Sequence, residues 1–176
     1  MKTINKFIKI ILISIIFNAA TTIKAQEYIE TRTIDVIINL NKFIDWTIEN
    51  NTVDTKNRII ILSEENSSIN YELQSKNNFK YKNWQIICSN NYDDIIDGSI
   101  IFITNNKKAE VKDLIRISKS KDILTMADNI DSFCEEGGMI NIKNQNGRYQ
   151  FEINYQEIKK KDMDVSSKLL ALAKIY

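Results

Sequence analysis

The stretch that decides the fold lies in the C-terminal third and reads Met139-Ile140-Asn141-Ile142-Lys143-Asn144-Gln145, Asn146-Gly147, and then Arg148-Tyr149-Gln150-Phe151-Glu152-Ile153-Asn154. Asn146-Gly147 is the usual central pair of a two-residue hairpin turn, because both positions need φ > 0. Counting outward from this turn gives four cross-strand pairs: Ile142 with Phe151, Ile140 with Ile153, Asn141 with Glu152, and Lys143 with Gln150. Apolar pairs share one face and polar pairs share the other. The sequence therefore predicts a β-hairpin with one buried face and one solvated face.

Short β-branched runs alternate with helical patterns before and after this hairpin. The predicted strands are Arg58–Leu62, Trp84–Cys88, Ser99–Thr104 and Ile123–Ala127. The predicted helices are Thr33–Trp46, Ser67–Lys76, Glu110–Ser118, Tyr155–Lys161 and a terminal helix that Ser166 caps and that docks on the sheet. We expect an α/β fold, a single compact layered domain whose mixed β-sheet is flanked by helices and ends in a C-terminal β-hairpin and a terminal helix.

The N-terminus has the order of a secretory signal. Lys2, Lys6 and Lys9 precede the apolar run Ile10–Ala20, and Ile23-Lys24-Ala25 follows before Gln26. The run is well short of the ~20 residues that a membrane span needs. We predict a signal peptide over residues 1–25, cleaved after Ala25, and an exported periplasmic domain over residues 26–176. The alternative is an uncleaved N-terminal anchor.

Composition excludes several classes of function. The 176 residues contain no His, so the chain cannot hold a Ser-His-Asp triad, a Cys-His dyad or a His-ligated metal. It has no Walker A, H-E-x-x-H or C-x-x-C sequence, and Gly137-Gly138 precedes a strand instead of following one. The 24 basic and 23 acidic side chains give no nucleic-acid footprint. We therefore predict no catalytic residues, no metal and no cofactor.

The two cysteines, Cys88 and Cys134, leave three alternatives open. Ser132 and Glu135 fit a capping box, which would put Cys134 in the first turn of a short helix and favour its thiolate. Cys88 lies in an apolar run, where a cysteine behaves as a small hydrophobe. The pair can form a disulfide in an oxidising compartment, can be two buried thiols, or can include a redox-responsive thiol.

The two tryptophans, Trp46 and Trp84, also have two interpretations. An aromatic residue after an apolar helix is more often part of a core, because aromatic side chains dominate core burial. The alternative is an anchor on a binding surface.

The C-terminal third resembles the YfiR family. The residues that carry this resemblance form three groups: Gly137, Gly138 and Met139; Arg148, Phe151, Glu152 and Asn154; and Ser166, Ser167, Lys168, Leu169 and Leu170. Asn41–Trp46 partly resembles the family's first helix. Three positions depart from the family's pattern: Thr47 replaces a Pro, Gly98 stands where a Cys is common, and Cys134 has no near neighbour Cys.

The resemblance implies a function as well as a fold. The founding type is a periplasmic repressor that restrains a membrane-bound diguanylate cyclase, and so lowers cyclic di-GMP and biofilm formation. A non-catalytic protein of this type would bind the periplasmic segment of a membrane signalling protein, and Phe43 and Trp46 are our candidates for that contact. The resemblance implies that the motif residues are mainly structural. A homodimer stays open.

The alternative functions are an exported small-ligand-binding protein or enzyme on an α/β scaffold, or an accessory protein of a membrane sensor kinase. Fold alone does not separate them, because function resides in sites that a fold carries.

Overall fold

The structure, a computed structural model, describes residues 33–46, 58–63, 80–81, 84–145 and 148–176. The chain divides into two compact units, Met1–Asn39 and Leu40–Tyr176, and the β-sheet lies within the second. The predicted signal peptide, the predicted helix Ser67–Lys76 and the turn pair Asn146-Gly147 fall outside the described residues.

The elements follow one another in an α/β order. The helices are α1 (33–41), α2 (Val111–Ser120), α3 (Tyr155–Lys159) and α4 (Ser167–Leu170). The strands are β1 (Ile44–Trp46), β2 (Arg58–Leu62), β3 (Lys80–Tyr81), β4 (Trp84–Cys88), β5 (Ser99–Ile103), β6 (Leu124–Asp128), β7 (Ile140–Gln145), β8 (Arg148–Ile153), β9 (Met163–Val165) and β10 (Ala173–Ile175).

Eight of the described strands form one mixed sheet in the order β10-β8-β7-β6-β5-β2-β4-β3. The five central strands β7, β6, β5, β2 and β4 run parallel to one another. Strands β8 and β3 are antiparallel to their central neighbours, and β10 joins β8 in parallel. Strands β1 and β9 form a separate antiparallel ribbon. The predicted α/β class, with a mixed sheet flanked by helices, is confirmed.

The central strands are buried on both faces. Helix α2 covers one face, where a cluster of side chains is at most 7% exposed: Ile60, Leu62, Ile101, Ile103, Ala127, Val111, Leu114 and Ile115. On the opposite face, Ile59, Ile61, Ile100, Phe102, Leu124, Met126 and Ile140 are at most 1% exposed. Burial on both faces explains why the sequences of these strands are continuous apolar runs without alternation. Each such side chain stabilises the fold by about 1.5–3 kcal/mol relative to its exposed state.

The hairpin formed by β7 and β8 has the predicted register, and all four predicted cross-strand pairs occur. The prediction of one solvated face is wrong at the base of the hairpin. Asn141 is fully buried there, and the side chain of Glu152 is only 12% exposed. On the apolar face, Ile140, Ile142 and Ile153 are buried, whereas Phe151 is only half-buried.

Two helices were predicted too long. The helix predicted over Thr33–Trp46 ends at residue 41, because Ile44–Trp46 instead pairs with β9. The predicted terminal helix consists only of Ser167–Leu170, and the following residues form strand β10. Pairing with β8 satisfies backbone groups that would otherwise be unpaired at the edge of the sheet.

Candidate interaction surface

The Gly-Gly motif closes a tight loop between β6 and β7. Gly137 has φ +107°, which is a conformation that residues with a Cβ rarely adopt. A Cβ added at Gly138 would lie 2.3 Å from a ring carbon of Phe133, which is fully buried. The N–H of Gly138 donates to the carbonyl of Phe133 at 2.8 Å. Both glycines are therefore required by the packing of this loop.

Asn141 fastens the same loop to the hairpin. Its Oδ1 accepts from the N–H of Ile130 at 3.1 Å, and its Nδ2 donates to the carbonyl of Ile130 at 2.8 Å. The Nδ2 also donates to Oε2 of Glu152 at 2.8 Å. Thr125 accepts from the N–H of Met139 at 3.1 Å. At the base of the hairpin, the polar face is buried because its side chains bind the loop that covers it.

Glu152 is the centre of a charged network. Nζ of Lys143 lies 3.3 Å from Oε1 of Glu152 and 3.5 Å from Oδ1 of Asp131. The hydroxyl of Tyr176 donates to Oε1 of Glu152 at 3.3 Å. Burial opposes the charge of Lys143, but Glu152 and Asp131 outweigh it and raise the pKa of the Lys143 ammonium. This network holds the hairpin, the loop and the end of β10 together.

Asn154 and Ser166 both cap short helices. Oδ1 of Asn154 accepts from the N–H of Glu157 at 3.1 Å, and its Nδ2 donates to the carbonyl of Cys134 at 2.8 Å. Oγ of Ser166 accepts from the N–H of Leu169 at 3.5 Å, as the predicted capping requires.

The other motif residues differ in exposure. Met139 and Leu169 are buried, Leu170 is half-buried, and Arg148, Ser167 and Lys168 are exposed.

The two cysteines lie on opposite faces of the sheet, so the disulfide alternative is not what the structure shows. Cys88 pairs with Ile61 and shares its face, whereas Cys134 packs in the cluster under α2. The structure has no disulfide between them.

The predicted capping box before Cys134 does not form. Residues 131–137 form turns, and Ser132 has φ +58° instead of the extended backbone of an N-cap. Burial, and secondarily the Glu152 carboxylate, raise the pKa of the Cys134 thiol to about 12. Cys134 therefore resembles a buried thiol more than a reactive one.

The structure places Phe43 and Trp46 at the β1–β9 ribbon. Phe43 is 40% exposed, and its carbonyl accepts from the N–H of Ser166 at 2.9 Å. Trp46 is half-buried, and its Nε1 donates to Oδ1 of Asn41 at 2.8 Å. Trp84, for which the sequence favours the core as it does for Trp46, is also half-buried. Phe43 is therefore the better surface candidate of the predicted pair.

Two apolar residues of the C-terminal segment were missed by the sequence reasoning. Leu172 is 75% exposed and Ile175 is 46% exposed. Among the described residues, the large apolar side chains that stay exposed are these two and Phe43. The signal was available, because Ala173-Lys174-Ile175 alternates as an edge strand does, but the helical spacing of Leu169 and Ala173 favoured a helix instead.

A shallow cleft of about 250 Å³ lies at the carboxyl ends of β5 and β6. Its lining includes Asn105, Lys108, Asn129, Asp131 and Glu136. In the part of the chain that the structure describes, no group of His, Cys, Asp or Glu side chains has a metal-ligating arrangement. Over the same residues, no helix has the length and apolar character of a membrane span.

Comparison with known proteins identifies the family. The model of the YfiR/HmsC-like family matches residues 31–174. No curated protein matches the chain. The matched residues include the Gly-Gly loop, the hairpin and the caps described above. Members of this family are known as regulators and not as catalysts, and the family suggests a periplasmic regulator of cyclic di-GMP signalling that interacts with a membrane signalling protein. The chain belongs to the YfiR/HmsC-like family.

Proposed function

We propose that this protein binds the periplasmic segment of a membrane-bound diguanylate cyclase and holds that enzyme in its inactive form. The observation that carries the proposal is a contrast between polar side chains that hold the fold and apolar side chains that stay exposed. The polar side chains of Asn141, Glu152 and Asn154 are occupied in holding the fold. What the described surface offers to a partner is a set of apolar side chains: Phe43, Leu172 and Ile175.

These apolar residues belong to segments that are tied to each other. Phe43 is bonded through its backbone to Ser166, and Ser166 begins the short helix that leads to Leu172 and β10. A partner contacting this surface would bury apolar area, which is the dominant favourable term in protein association. Trp46 follows Phe43 on the same ribbon and belongs to the proposed surface.

Inhibition of the cyclase by binding requires no catalytic step in the regulator. A regulator shifts its partner only by its differential affinity for the partner's two forms. A change from mostly active to mostly inactive cyclase requires a ratio of about 10⁴, or about 5.5 kcal/mol. A few well-buried apolar anchors are sufficient for such a difference, because a handful of residues carries most of the energy of an interface.

Export is part of the proposal. Cleavage after Ala25 would release a periplasmic domain of residues 26–176. Mass spectrometry of the protein from its native host should then find Gln26 as the N-terminal residue. A protein that keeps Met1 and stays in the membrane fraction would contradict cleavage.

A second candidate function is the carriage of a small exported ligand, and the cleft beside Asn105 and Lys108 favours it. In open α/β sheets, ligands bind beyond the carboxyl ends of the strands. This function predicts a ligand-dependent rise in Tm and no effect on cyclic di-GMP.

The test of the main proposal is deletion of the gene, followed by measurement of cyclic di-GMP and surface attachment. Both quantities should rise, and a plasmid copy should restore them. If neither changes, the repressor function is wrong for this protein.

A further inference from the structure

We infer that the outer edge of β10 is a docking edge, to which an extended segment of the membrane partner adds as a further strand. This inference deepens the proposed function and rests on it. It specifies how the partner binds: by backbone hydrogen bonds to a sheet edge, with apolar side chains beside them.

The first observation is that β10 is paired on one side. It joins β8 in parallel through Ala173, Lys174 and Ile175, and among the described strands none pairs with its other side. The N–H of Tyr176 donates to the carbonyl of Ile153 at 2.9 Å, so the backbone groups of Tyr176 point toward β8. Because consecutive residues of a strand point their N–H and C=O groups to opposite sides, those of Ile175 point outward. An added strand would bond to these groups.

The second observation is the exposure of the side chains on this edge. Leu172 is 75% exposed and Ile175 is 46% exposed. Exposed apolar side chains beside an edge strand offer area that a partner segment can bury.

The occupant is a different protein and not a second copy of this chain. The segment Ser166–Tyr176 carries Lys168 and Lys174 and no acidic side chain. Two-fold antiparallel pairing of β10 would place two such cationic segments together, and like charges directly opposite each other are destabilising. An extended partner segment with acidic residues among apolar ones avoids this repulsion and complements the two lysines.

The test uses two variants of the full-length gene in the deletion strain. Ile175→Pro removes the outward N–H while keeping the bonds to β8, since an edge strand tolerates Pro at such a position. Lys168→Glu reverses an exposed charge, and Lys112→Glu on α2 is the matched control for it. We expect both test variants to lose repression of cyclic di-GMP to the level of the deletion strain, with an unchanged Tm, and the control to repress fully.

Three outcomes would overturn the inference. If a test variant has an unchanged Tm and represses cyclic di-GMP fully, the edge of β10 does not bind the partner, and the proposed function still stands. If Ile175→Pro lowers Tm, the decision rests on Lys168→Glu, and full repression by that variant at an unchanged Tm overturns the inference. A wild-type protein that sediments as a dimer, and that Ile175→Pro dissociates, would assign the edge to a second copy. If deletion itself leaves cyclic di-GMP unchanged, the inference and the proposed function both fail.

Discussion

Two regions of the molecule differ in which kind of side chain they bury and which they expose. At the base of the hairpin, the polar side chains of Asn141 and Glu152 are buried and bonded to the loop above them. In the C-terminal segment, the apolar side chains of Leu172 and Ile175 are exposed. Polarity therefore does not tell which of these side chains are buried in the fold and which are available to a partner. Burial and hydrogen-bond partners do.

The largest expected effect on stability is that of Asn141→Ala. The substitution leaves the N–H and carbonyl of Ile130 without their partners and removes a bond to Glu152. Each buried group that loses its partner costs about 1–3 kcal/mol, so the free energy of unfolding should fall by about 4 kcal/mol. Urea unfolding measures this change. Gln150→Ala, on the exposed end of the same hairpin, is the control and should cost under ~0.5 kcal/mol. Equal effects would contradict the buried polar face.

Gly138→Ala should cost about 2–3 kcal/mol, because the added Cβ would lie 2.3–2.5 Å from three ring carbons of Phe133 and the loop must shift. The double variant with Phe133→Leu should recover part of this loss, since the smaller side chain relieves the overlap. A double variant whose stability is the sum of the two single losses would show that the contact is not the cause.

Cys134 provides a test through pH. Its pKa is raised from 9.0 to about 12, so the folded state favours the neutral thiol. This stabilising contribution is complete below pH 9 and is lost as the pH rises toward about 12. Unfolding measured across this range should show a fall in stability that Cys134→Ala reduces. An equally steep fall in the variant would contradict the burial of this thiol.

The smallest expected effect on stability is that of Leu172→Asp. The side chain is 75% exposed, so the free energy of unfolding should change by less than ~0.5 kcal/mol. Thermal unfolding of the purified variant checks this. A loss of several kcal/mol would place Leu172 in the core and remove it from the proposed surface.

The hairpin could be predicted from the sequence because its register depends on local information. The Asn146-Gly147 pair and the alternation of Ile140, Ile142 and Ile153 specify one pairing, which the structure has. The central strands and α2 could also be predicted, since continuous β-branched runs and helical spacing are local patterns.

The other features depend on contacts between distant parts of the chain. Trp46 lies in a strand because Met163 pairs with it, and the pattern around Trp46 alone favours a helix. Ile175 lies in a strand because β8 has an open edge beside it. The burial of Asn141 depends on a loop that begins eleven residues earlier. Tertiary pairing overrode local propensity at each of these positions.

The candidate surface was predicted in part. Phe43 and Trp46 were expected on it, and of the two Phe43 is the more exposed. Leu172 and Ile175 were assigned to no surface, because a helix docked on the sheet would have buried that segment. A disulfide between Cys88 and Cys134 was one of three alternatives that the sequence left open, and the sheet that separates the two residues is a feature that their sequence positions do not reveal.

The most direct test of the account is the cellular level of cyclic di-GMP in the deletion strain that carries Leu172→Asp. The account predicts that this variant is exported and has wild-type Tm, yet leaves cyclic di-GMP as high as in the deletion strain, whereas the wild-type gene lowers it. Full repression by a stable Leu172→Asp protein would contradict the assignment of the C-terminal segment to partner binding.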